Sequence, residues 1–332
     1  MRKLTWALLL SLIWITTALA AKVVMVEKRQ AVGVGYPLES SRRMELPDGQ
    51  VVQLVTCCGL NQDDSALYTV RDRDGYTLVD RKFTSGRYFL GPKGRVIAVQ
   101  KTGPSFTVTF SDHLLHVIKE IKLVDVQNLT VGDRGSVAVL ARTSEGSVLR
   151  VYDAAGERRW QAQDAPEGSL YFLPQEKLLI VTAGDTLYLH APDGENVKTF
   201  KTGGPVRYIG ADRGAGLMFL LVNRKEGAQV QAIDLKSYEE RWAHHVADQP
   251  AGHCGEMEVE LSRYVQGAGV VGLLLRCPGD RVHFYVARFL DKDGKMVGQQ
   301  KLGRRIDASF FEIGTTFAIV SDGFVYTFAR SE

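Results

Sequence analysis

Short apolar runs alternate with polar punctuation along almost the whole chain. The runs are rich in Val, Leu, Phe and Tyr, and Gly, Asp and Asn separate them. That pattern reads as strands joined by tight turns, with no helical stripe. One mark recurs as a strand, an Asp- or Gly-containing turn and a second strand. It stands in ALYTVRDRDGYTLV, FTVTFSDHLLHVI, VLRVYDAAGERRW, TLYLHAPDGENVK, VQAIDLKSYEERW and VARFLDKDGKMVG. Its turns fall at Gly75, His113, Gly156, Gly194, Ser237 and Gly294, at intervals of 38 to 57 residues. A second, tighter turn lies earlier in each unit, at Gly49, Gly94, Gly135, Glu176, Gly214, Gly267 and Gly314, at intervals of 38 to 53. Both marks show the sixth unit to be the longest.

A period near forty residues holds four short strands and three turns, which is the content of a propeller blade. A β-sandwich pair or a β-helix fits this period less well. The first mark is then the turn between strands C and D, and the second the turn between A and B. The seventh unit, DASFFEIGTTFAIVSDGFVYTFAR, stops after its third strand, while KVVMVEKRQ (22–30) precedes the first unit as an orphan strand. An unpaired edge invites aggregation, so the N-terminal strand is expected to complete the last blade. The expectation is an all-β, seven-bladed propeller of four-stranded antiparallel blades, a single domain over residues 21–332.

Residues 1–20 read differently. Arg2 and Lys3 precede an apolar run from Leu4 to Ile15, and Ala18-Leu19-Ala20 fits small-x-small cleavage. This is the pattern of a secretory signal peptide, too short for an ordinary membrane span. Because no Cys follows the cleavage site, a lipid anchor is not expected. The mature chain is therefore expected in the periplasm or outside the cell, where disulfides persist. The chain has 41 basic and 38 acidic residues, a formal charge of +3, with no basic or acidic block. Neither nucleic acid nor an anionic membrane is implied, and the partner is expected to be an envelope or secreted protein.

The units QAIDLKSYEERW (231–242) and RVYDAAGERRW (150–160) resemble the tryptophan-containing repeat of the quinoprotein-type (PQQ-like, WD40-like) propellers. Trp160 and Trp242 take the repeat's tryptophan place, whereas Leu78, Val197 and Val297 stand near it in other units. Packing between blades is the expected role of both tryptophans. The resemblance implies a propeller. Quinoprotein dehydrogenases of this superfamily carry an adjacent-cysteine disulfide near the cofactor, which VTCCGLNQDD echoes, but they are far longer. They hold calcium under the quinone with Glu, Asn and Asp from different blades, and Asn61, Asp63 and Asp64 lie in one loop. In size the chain is closer to non-enzymatic periplasmic propellers, such as the scaffold subunit of the outer-membrane barrel-assembly machinery. That subunit is normally a lipoprotein.

The blade pattern places A–B and C–D turns on one face, and B–C loops and D–A crossings on the other. Cys57, Cys58 and Cys277 end B strands and Cys254 begins an A strand, so all four belong to the second face. The midpoint of Cys254 and Cys277 falls in the SRYVQGAG turn, which puts the two opposite each other in a hairpin and within disulfide reach. For Cys57–Cys58 two readings stand. Neighbours on a strand point to opposite sides, so a bond between them needs a distorted turn, which Gly59 permits. Alternatively both are reduced, one packed between blades.

On the same face His244, His245 and His253 precede Cys254. Imidazole and thiolate suit copper or zinc, but the spacing is not that of a specific site, and solvated loop histidines are the simpler reading. The segments Asp72 to Gly75 and Asp291 to Gly294 resemble half a calcium loop but sit where hairpin turns are needed. Asn128-Leu129-Thr130 is a glycosylation sequon. The leading reading is a propeller that binds a protein or ligand on its B–C/D–A face without a cofactor. The residues there are Asn61, Asp63, Asp64, Arg224, Lys225, Glu226, His244, His245 and His253. The alternative is an oxidoreductase or electron carrier at Cys57-Cys58, with PQQ and calcium, or with copper.

Overall fold

The computed structural model describes residues 22–30, 39–58, 64–248, 254, 257–278, 283–313 and 316–331. Their strands form seven four-stranded antiparallel sheets. Blades 1 to 6 occupy residues 39–83, 87–123, 126–162, 169–201, 206–245 and 258–301, each with its strands in sequence order from inner A to outer D. Blade 7 is Ile306–Ile313, Thr316–Ser321 and Phe324–Arg330, and its fourth strand is the N-terminal Val23–Gln30. This is the expected closure. Val23 pairs with Arg330 and Gln30 with Phe324. The backbone N–H of Ser331 donates to the Lys22 carbonyl at 2.8 Å, and the Lys28 ammonium lies 4.5 Å over the Phe324 ring.

B and C strands are nearly continuous buried runs, as in Leu217–Arg224 and Val270–Cys277, whereas D strands such as Thr77–Phe83 are largely exposed. Burial on both sides is what strands covered by neighbouring sheets require. Six apolar clusters each join two consecutive blades, from blades 1 and 2 through blades 6 and 7. The core is thus distributed between sheets, and no blade holds it alone.

The C–D hairpins of blades 1, 2, 3, 4 and 6 are built alike, and that of blade 5 is one residue longer, closed by Tyr238 N–H to the Asp234 carbonyl at 2.8 Å. In blade 1, Asp72 N–H donates to the Tyr76 carbonyl at 2.9 Å, Gly75 N–H to the Asp72 carbonyl at 3.1 Å, and Gly75 has φ +88°. That is a type I turn followed by a left-handed bulge residue. All six hairpins shift register at this same point. The left-handed residue is Leu115 in blade 2 and Tyr238 in blade 5, which moves those turns one or two residues past His113 and Ser237. The Asp72 and Asp291 carboxylates accept two backbone N–H groups each at 2.8 to 3.0 Å, so the Asp-x-Asp-Gly segments serve the turns, as expected.

The two tryptophans follow one rule. Trp160, on strand D of blade 3, packs on Gly194 in the C–D turn of blade 4, where an added Cβ would lie 2.7 Å from the indole. Trp242 of blade 5 packs likewise on Gly294 of blade 6, and its Nε1–H donates to the Lys292 carbonyl at 2.6 Å. Inter-blade packing is their role.

Candidate partner-binding face

On the B–C/D–A face, Cys254 and Cys277 are joined by a disulfide, with Cα atoms 5.5 Å apart. The pairing is as expected, but the register is not. Glu258 faces Arg276, so the ladder would put Met257, not Cys254, opposite Cys277. The hairpin turns between Val265 and Val270, which displaces the ladder by four residues from a Cys254–Cys277 pairing. A bulge between Val259 and Leu261 takes back one of them, and Cys254 reaches its partner from ahead of the strand Glu258–Val265. The blade 5 to blade 6 crossing is also braced by Arg288, which is fully buried. Its guanidinium donates to the Val246 carbonyl at 2.5 Å and to Gln299 Oε1 at 3.2 Å. Burial pulls the pKa of this group down.

His244 and His245 end the D strand Glu240–His245, ahead of the crossing in which the sequence placed them. His245 Nε2 lies 3.2 Å from Gln229 Nε2. Arg224 closes a B–C hairpin and donates to the Thr202 carbonyl at 3.2 Å, while Lys225 and Glu226 are exposed at its tip. Asp64 pairs with Cys58, and Cys57 with Ser65, in regular antiparallel register. Asn61, Asp63 and His253 lie outside the described residues, as do the side chains of Cys57 and Cys58. Among the described residues no three His, Cys, Asp or Glu gather as a metal site. Asn128 sits on inner strand Val126–Val131, and its side-chain oxygen accepts from Leu170 N–H at 3.4 Å.

The A–B/C–D face carries two adjoining grooves, while a separate one of about 450 Å³ is lined by Arg87, Phe106, Val126 and Tyr171 among others. The scaffold of the adjoining pair starts from one turn. In blade 4, Leu173-Pro174-Gln175-Glu176 turns with Gln175 at φ +62° and Glu176 at φ +54°. Two non-glycine residues in the left-handed region cost energy. Contacts to blade 3 offset that cost. Glu176 Oε1 accepts the backbone N–H groups of Arg134 at 2.7 Å and Ser136 at 3.0 Å. Gln175 N–H donates to Asp133 Oδ2 at 2.9 Å, and Arg213 of blade 5 donates to the same oxygen at 2.6 Å. Gly132 makes room: an added Cβ would stand 2.2 Å from Glu176 Oε1. The turns of three blades are thereby tied into one floor.

Above this floor lie two adjoining grooves. One, of about 740 Å³, runs between blades 4 and 5 and is lined by Leu173, Pro174, Leu178, Leu235 and Tyr238, with Arg213, Asp234 and Lys236. The other, of about 450 Å³, spans blades 2 to 4 and is lined by Lys93, Arg95, Arg134, Arg159 and Lys177, with Asp153 and Glu176. Gln175 and Lys177 belong to both walls. The signal for this face is present in the repeats: the A–B turns GPKGR, GDRGS, PQEK and ADRGAG of blades 2 to 5 each carry a base. It shows only when the units are aligned and the turns stacked.

Buried titrating groups are dispersed around the ring. Burial raises the phenol pKa values of Tyr68 and Tyr208, with Asp112 and Asp133 adding to the effect, and both stay protonated. Burial lowers that of His190, which stacks on Trp160. On the other face, a hydrogen bond from Arg142 holds the Glu167 carboxyl down to about 2.

No family model matches the chain, and no curated protein matches it. Solved structures do. The β-propeller domain of the Trilobed protease from Pyrococcus furiosus, which has an open velcro topology, aligns with a TM-score of 0.50 at 10% identity. That alignment covers 89% of this chain and 94% of that one. The fold is a seven-bladed β-propeller. The WD40 domain of Neurospora crassa Pan2 aligns with a TM-score of 0.49 at 10% identity, over 94% of this propeller and 96% of that chain. At such identity the likeness is one of fold, and function must be argued from the propeller's own surface. Among its described residues no helix is long and apolar enough to cross a membrane.

Proposed function

We propose that this propeller binds a partner protein of the cell envelope or its surroundings and carries out no chemistry of its own. The observation that carries this reading is the pair of adjoining grooves laid over a floor of interlocked turns from blades 3, 4 and 5. A surface held this firmly loses little freedom on binding, which favours affinity. The basic, apolar-cored start of the chain and the Cys254–Cys277 bond support export to an oxidising compartment. The tryptophan places of blades 3 and 5 support a quinoprotein-type repeat used here as a scaffold. This reading moves the main binding surface from the B–C/D–A face to the A–B/C–D face. Arg224–Glu226, His244 and His245, the described part of the expected B–C/D–A surface, then form the competing surface.

The test is affinity capture with the mature chain from an envelope extract, run in parallel with a Lys93→Glu/Lys177→Glu variant and a Lys225→Glu/Glu226→Lys variant. Capture of one partner at constant stoichiometry, lost in the first variant and kept in the second, is the expected result. Purified protein that carries quinone, calcium or copper at unit stoichiometry and turns over a substrate would overturn the reading.

A further inference from the structure

We infer that the two grooves receive one extended peptide segment, in which acidic residues lie over blades 2 to 4 and a bulky apolar side chain enters the groove between blades 4 and 5. This rests on the partner-binding reading and adds the chemistry of the partner.

The charge comes first. Lys93, Arg95, Arg134, Arg159 and Lys177 converge on the groove of about 450 Å³. None of the five side chains has a carboxylate partner among the described residues. Of the two carboxylates lining the same groove, each gives one oxygen to the backbone, so the five cations outnumber them. Asp153 Oδ1 accepts from Ala155 and Glu157 N–H at 2.8 and 3.0 Å, and Glu176 Oε1 from Arg134 and Ser136 N–H. In a chain whose overall charge is only +3, this is a local concentration of positive charge. A concave site focuses such a field on an incoming anion.

The neighbouring groove differs. Leu173, Leu178, Leu235 and Tyr238 supply an apolar lining, and Arg213 is already paired with Asp133 at 2.6 Å. Each groove is within the size of a small-molecule pocket, about 300–1,000 Å³, and Gln175 and Lys177 form their shared wall. A free phosphate or a nucleic-acid backbone would satisfy the cations and leave the apolar groove empty. An acidic segment ending in Leu, Phe or Trp fills both. Arg in such sites engages carboxylates in a fixed, two-pronged geometry.

The experiment uses the full mature chain and fluorescent peptides, with a single-stranded DNA oligonucleotide and inorganic phosphate as competitors. One peptide carries four acidic residues followed by Phe, a second carries the acidic run with Ala in place of Phe, and a third carries Phe after four Gln. The first should bind about tenfold more tightly than either of the others, with an affinity that falls with salt. Lys93→Glu/Lys177→Glu should weaken it at least tenfold and flatten the salt dependence. Leu235→Ser should weaken it with the salt dependence kept. The Lys93→Glu/Lys177→Glu variant should keep the wild-type thermal unfolding curve, since both residues are exposed. Leu235 packs in part on the blade 4–5 cluster, so Leu235→Ser is compared well below its own unfolding midpoint, with circular dichroism showing it folded. Equal binding of the two acidic peptides, or full displacement by DNA or phosphate, would overturn the inference in favour of a general anion site. Failure of every peptide while the envelope partner is still captured would overturn it and leave the partner-binding reading standing. Failure of capture by the wild-type chain would remove that reading.

Discussion

Glu176 shows how much one side chain can decide in this molecule. It is 7% exposed, sits in the left-handed region, and gives one carboxylate oxygen to two backbone N–H groups of the preceding blade. Glu176→Ala would leave the buried Ser136 N–H without this acceptor. It is expected to cost about 2 kcal/mol in denaturant unfolding, with Glu176→Gln recovering part of the loss. His190 carries a pH dependence. Burial lowers its folded pKa, so the unfolded chain takes up this proton more readily. Stability is then full above the ordinary histidine value of about 6.5 and falls as pH drops through it. Thermal unfolding between pH 7.5 and 5 should show a decline that is shallower in His190→Gln. Neither role was legible in the sequence. PQEK reads only as a turn, and TLYLHAP as a strand end, until the preceding blade is placed against them.

At the scale of the element, the C–D hairpin is the unit the sequence spells out most clearly. Asp at its first position and Gly at its bulge are the residues that local turn chemistry selects. In blades 2 and 5, Leu115 and Tyr238 occupy the left-handed position, and there the turn was misplaced because the glycine signal is missing. Removing a turn carboxylate, as in Asp291→Ala, should cost about 1 kcal/mol, measured by chemical denaturation. Gly294→Ala should cost more, because φ is +77° and the new methyl would meet the Trp242 ring at 2.8 Å. The disulfide closes a segment of 23 residues. Cys254→Ser/Cys277→Ser is expected to lower stability by about 3 kcal/mol on the chain-entropy estimate, and thiol titration of the unreduced wild-type protein should detect neither sulfur.

Over the whole molecule, the ring is fastened by its first strand. Without Val23–Gln30, strand Phe324–Arg330 becomes an open edge and the blade 6–7 cluster loses Val23. A chain lacking residues 22–30 is expected to unfold at a markedly lower temperature and to aggregate in size-exclusion chromatography. An unchanged melting curve would show that closure does not depend on this strand. The partner-binding proposal belongs to the same scale, since its grooves draw on turns from four blades and exist only when those blades are side by side.

Local chemistry alone set the forty-residue period, the number of blades, the closing strand, most turn positions and the identity of the disulfide partners. All of these follow from alternation, turn residues and counting along the chain. Tertiary structure decided the rest: the hairpin centre that leaves Cys254 out of register, the seating of Glu176 under Arg134 and Ser136, and the gathering of five cations beside an apolar groove. The Glu176 contacts join residues roughly one repeat apart. Their partners are chosen by how one twisted sheet packs on the next, and pattern within a single unit carries no record of that packing.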